Sequence, residues 1–281
     1  MNKNYRIMIA GLCILLLSMA ACKKSQPIVT VTEGQICYFN VSEYLQNQLI
    51  NLTNGRRSYM LIDSNLMNDG GIPKYALDLP YFDNQWYSFQ FPNNQFNSQT
   101  PQQGWIYYMR IAPGAHFVNL TDTGGHHTLV SAGIKVVSSV PTTVYFADSL
   151  GFFRYWQVYD TVKTSSSGIS LRVLDLGPDA GPVTVTIGNL PVPGITDSLV
   201  YGQVTGFVPY PVSTDTTLQI RVYALGDNTT VLASVPFNAS PGHAYNLVLK
   251  GYLNNQSFPD PYEGGTIDLS QDFGIIIRQV N

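Results

Sequence analysis

Short bursts of alternating apolar and polar residues, separated by turn-forming clusters, run through the second half of the chain. Six such bursts are Ser170–Leu176, Val183–Ile187, Leu199–Val208, Leu218–Leu225, Val231–Phe237 and Tyr245–Leu249. Alternation is plainest in Val183–Ile187 and Leu218–Val222, where it predicts half-buried strands with one apolar and one polar face. Between the bursts lie the segments Gly177–Pro182, Pro191–Gly194, Gly226–Asn228 and Ser240–Gly242. Proline there presets φ, glycine permits positive φ, and Asp or Asn bonds its own backbone, so each predicts a turn.

The same order recurs upstream. His116–Leu120 falls on Leu218–Val222, and at the same offset Leu129–Val130 falls on Val231–Leu232. Thr142–Ala147 falls near Ala244–Leu249, within about a residue. Ile36–Val41 corresponds to Leu171–Leu176 and Ser58–Asp63 to Val183–Gly188 at other offsets, which implies insertions at 42–57 and 64–104. We expect two tandem β-sandwich modules, 33–164 and 165–281, with Thr164–Gly168 as a short flexible linker.

Composition agrees with an all-β chain. Only three of the 18 acidic residues are Glu (Glu33, Glu43, Glu263), whereas Tyr, Val, Thr, Gly and Pro are plentiful. Charged residues are 12% of the chain, about half the usual ~25%, while hydrophobic residues are 44%. That excludes intrinsic disorder, and a net charge of -3 argues against a nucleic-acid partner.

The N-terminus reads as an address. Lys3 and Arg6 precede an apolar run from Ile7 to Leu17, and small residues then lead to Cys22. This predicts a lipoprotein signal peptide over 1–21, with Cys22 taking diacylglycerol and palmitate-type acyl chains, and a tether over 22–32. The run is too short for a spanning helix of ~20 residues. The expected location is the cell envelope, as an outer-membrane lipoprotein on either the periplasmic or the surface face. Cys13 leaves with the signal, so Cys37 is left alone, without a disulfide, as a buried structural thiol.

Leu171–Ile187, Leu199–Val204, Ser240–Val248 and Thr143–Asp148 together resemble the domain-of-unknown-function family numbered 4397, often tandem in bacterial lipoproteins. The resemblance implies an Ig-like or transthyretin-like sandwich and brings no catalytic residues.

No nucleophile elbow, metalloprotease helix, phosphate loop or dinucleotide fingerprint is present, and no carboxylate pair stands out. No enzyme and no cofactor are expected. His126-His127 reads as a solvated turn, because adjacent histidines on a strand diverge and no third metal ligand lies at sensible spacing. His116 and His243 have no evident partner and read as structural. Asp179 is a turn former; the weaker alternative is a calcium ligand. Asp-Ser/Thr motifs nominate Ser149, Thr161, Ser198 and Thr216 for O-glycosylation. The 81–108 stretch sets Trp86, Tyr87, Trp105 and Tyr107 among amides, a composition suited to stacking on sugars as well as to an ordinary strand pair. Adhesion or accessory binding is therefore the expected role. The alternatives are a carbohydrate-binding lipoprotein and a fimbrial subunit, matured by cleavage at a basic residue such as Arg57 and assembled by strand exchange.

Overall fold

The computed structural model describes residues 33–51, 58, 60–63, 103–105, 108–122 and 126–280, with backbone alone over 49–51, 103–105 and at 109. Cys22, Arg57, Trp86, Tyr87 and Tyr107 lie outside these residues. Glu33–Asn281 forms one compact unit. Among the described residues it is all-β apart from one short helix, with its sheets arranged as β-sandwiches. Among the described residues no helix is long and apolar enough to cross a membrane.

The first half contains β1 (Gly34–Asn40), α1 (Glu43–Asn51), β2 (Met60–Ile62), β3 (Gln103–Trp105), β4 (Met109–Ile111), β5 (Gly114–Thr121), β6 (Thr128–Val136), β7 (Pro141–Ser149) and β8 (Phe152–Tyr159). The second contains β9 (Gly168–Asp175), β10 (Val183–Ile187), β11 (Leu190–Pro191), β12 (Val208–Pro211), β13 (Thr216–Ala224) and β14 (Val231–Ala239). It continues with β15 (Ala244–Lys250), β16 (Gln256–Pro259), β17 (Thr266–Leu269) and β18 (Gly274–Val280).

Each half pairs an outer sheet with an inner one. The outer sheets are β2-β5-β6 and β11-β10-β13-β14; the inner sheets are β4-β1-β7-β8 and β12-β9-β15-β18-β3. The two halves follow one pairing scheme. Met60 faces Leu120 in β2–β5 as Val185 faces Val222 in β10–β13, and a register break follows Leu120 and Val222 alike. Most pairs are antiparallel, but β1 lies parallel to β7 and β9 parallel to β15.

Burial explains the layering. The outer strands β6 and β14 alternate buried and exposed positions, as a sheet with one wet face must. By contrast β1, β7, β9 and β15 are buried on nearly every residue. Alternate residues of these inner strands serve two cores. Leu171, Val173, Tyr245, Leu247 and Leu249 fill the second sandwich, and Ile36, Tyr38, Val144 and Phe146 fill the first. Their neighbours Phe39, Val41, Tyr145, Ala147, Leu174, Leu176 and Val248 form a third cluster in the seam where the inner sheets meet.

Three expectations are corrected. Val183–Ile187 is buried on both faces: Thr184 donates to the Asp197 carbonyl at 2.7 Å and Thr186 to that of Gly188 at 3.3 Å, so its polar face is covered. Leu199–Val208 is not a strand. Only isolated bridges occur at Leu199 and Val204, and β12 begins at Val208. Gly202 turns the chain there at φ 87°, beneath the Trp156 ring. The segment 42–57, expected as an insertion without assigned structure, carries α1. Ser42 caps it, accepting from Leu45 N–H at 3.1 Å.

Candidate functional site

The seam concentrates the polar chemistry. Asp160 follows β8 and is fully buried. Its carboxylate accepts from Tyr108 Oη at 2.9 Å, from Thr143 Oγ1, from Asn246 Nδ2 at 3.4 Å and from the Arg172 guanidinium. Arg172 also donates to the Tyr159 carbonyl at 2.9 Å and stacks over Phe207. Asp148, at the end of β7, accepts from Ser42 Oγ, Gly151 N–H and Tyr252 Oη, so it joins the α1 cap to the second half. Burial pushes its carboxyl above the usual range. Lys250 bridges Glu43 and Asp272, and burial lifts Glu43 to about 7 despite that cation. Cys37 is buried in the same seam and pushed up to about 12 by desolvation, so it is an inert thiol.

A second constellation lies in the open. Glu263 sits in the β16–β17 turn, and Asp122 and His126 sit at the β5–β6 connection. Their ligand atoms lie within 4.8 Å of one another. The Asp122 side chain is fully buried and accepts from His126 N–H at 2.8 Å. His127 Nδ1 approaches its other oxygen at 2.9 Å, and a ring nitrogen facing a carboxylate carries the proton. His126 Nδ1 stands 3.8 Å from Glu263 Oε1. The far side is prepared as well. Asp260 Oδ1 accepts from the N–H groups of Tyr262 and Glu263 and from Tyr44 Oη, fixing the turn against α1. The His127 ring packs on Tyr262 at 6.1 Å. Both histidines are exposed, as in the expected solvated turn, and folding brings Asp122 and, from a distant hairpin, Glu263 beside His126.

Other nominated residues separate. Asp179 accepts from Leu253 N–H, Asn254 N–H and Gln256 Nε2, which tie its turn to the segment after β15. His116 does have partners, Asp63 Oδ2 and the Ala112 carbonyl, both at 2.7 Å. So does His243, whose Nδ1 meets Gln279 Nε2 at 2.9 Å. Thr161, Ser198 and Thr216 are exposed, and Ser149 is half-buried. Trp105 ends β3, opposite Gln279 of β18 in a parallel pair.

No family model matches the chain, and no curated protein matches it. Among solved structures it is similar to family 41 carbohydrate-binding modules from streptococcal virulence factors, a structure concerned with alpha-glucan recognition. Identity is 9% and the TM-score 0.25, over 76% of this chain and 93% of the other. So loose a superposition assigns neither a ligand nor a site to this chain.

Proposed function

We propose that the chain is a non-enzymatic protein of the cell envelope, lipid-anchored at Cys22 and acting in adhesion or accessory binding. The observation that most supports this is the use made of its ionisable groups in the seam. Asp148 and the Asp160–Arg172 pair are buried in the seam between the halves, and Glu43 is held by Lys250, so these groups serve cohesion. Catalytic groups need a cleft that substrate can enter. The resemblance to the module family numbered 4397 belongs to the same reading. Cys22→Ser is expected to leave the precursor uncleaved, unacylated and absent from the membrane fraction. Normal processing and membrane fractionation of this variant would remove the anchor from the proposal.

Carbohydrate binding through Trp86, Tyr87, Trp105 and Tyr107 is the second reading. What favours it is β3: the insertion ends on a strand hydrogen-bonded to β18, a rigid base for a binding loop. Trp105→Ala is expected to abolish binding in a glycan screen while the melting temperature barely moves. A loss of about 3–5 kcal/mol, as for a truncated core Trp, would make the residue structural instead.

A further inference from the structure

His126 and Glu263 are too far apart for a hydrogen bond, at 3.8 Å, yet both are held in place by their own loops. Two tetrahedral ligands each ~2.0–2.2 Å from a zinc-class ion stand roughly 3.3–3.6 Å apart, so this gap is within a few tenths of an ångström of a shared cation's. Asp122 supplies a third donor. A carboxylate with roughly four lone-pair sites accepts N–H bonds and ligates at once. The 4.8 Å spread of the three donors exceeds the separation of tetrahedral zinc ligands by about an ångström or a little more. His126 and Glu263 are partly exposed and can close that distance by small side-chain movements, while Asp122 is fixed.

We propose that Asp122, His126 and Glu263 bind one first-row divalent cation of the zinc class, which clamps the β5–β6 connection to the β16–β17 turn. One imidazole with two carboxylates favours Zn²⁺ over Ca²⁺, which needs six to eight oxygens. His127 serves as a positioning residue by fixing the Asp122 carboxylate. Exposure of His126 leaves coordination positions for water.

The test is calorimetric titration of the EDTA-treated, untagged chain of residues 22–281 with ZnCl₂. Cys22 is replaced by Ser so that its thiol contributes no ligand. The expected result is one saturable Zn²⁺ site, no Ca²⁺ binding at the same concentrations, and a melting temperature that rises with Zn²⁺ and falls back with EDTA. His126→Ala and Glu263→Gln should each weaken binding at least tenfold without lowering the metal-free melting temperature. Both residues are at the surface, so these variants are expected to fold. Absence of saturable Zn²⁺ binding up to millimolar concentration would overturn the proposal. So would variants that bind Zn²⁺ as tightly as the parent.

Discussion

Asp175 ends β9 with one carboxylate oxygen accepting from Gly177 N–H at 3.2 Å; its Oδ2, also buried, has no hydrogen-bond partner among the described residues. Desolvation lifts this carboxyl from its ordinary 3.8 to about 7. The folded state therefore holds the proton more tightly than the unfolded chain. Its contribution is complete below about pH 4 and is lost as pH rises to about 7. Asp175→Asn should remove that loss. In melts across pH 4–8, the variant should gain on the parent as pH rises, reaching about 1–3 kcal/mol at pH 8. A difference that stays flat with pH would refute this. The site residues show why single residues were only partly legible. His126 and His127 catch the eye in the sequence, but Glu263 lies in another hairpin and only folding brings it near. Asp148 and Asp160, read as part of a glycosylation motif, are buried structural acceptors, and nothing local in Asp-Ser or Asp-Thr distinguishes the two roles.

Among the elements, strands of the repeat were the legible part, because alternation and turn chemistry are local. His116–Leu120 and Leu218–Val222 do occupy equivalent ladders, in β5 and β13. The parallel pairs of the inner sheets are not legible, since pairing of β1 with β7 or β9 with β15 leaves no mark on either strand alone. α1 leaves little trace in the sequence for a different reason: Glu43–Asn51 is short and rich in amides, and tertiary contacts sustain it. Tyr44 fills a pocket with Tyr252, Phe258 and Leu269, and Ser42 links the helix cap to Asp148. Ser42→Ala should thus lose both a cap and a bond to a buried carboxylate. We expect about 2–3 kcal/mol of destabilisation in denaturant titration, more than the ~1 kcal/mol of a cap alone. A cost at or below the cap value would mean that Asp148 does not depend on Ser42.

For the whole molecule, the seam predicts mutual dependence of the halves. Removing one partner of a buried charged pair typically costs about 3–5 kcal/mol. A fragment of residues 165–281 would leave Arg172 without Asp160 and β18 without β3. It should lack a cooperative melt by near-UV circular dichroism, whereas the intact chain should melt in one calorimetric transition. A fragment as stable as the parent would contradict this. The repeat pattern predicts two tandem modules but not the seam between them, because a seam between two sheets looks, residue by residue, like any other core. The β3–β18 pair also bears on biogenesis. Gly104 must wait for Arg278, which leaves the ribosome long after it, before its ladder can form. Loop closure over so great a separation is slow. The chain should therefore acquire its final edge late, with β3 left unpaired until β18 arrives.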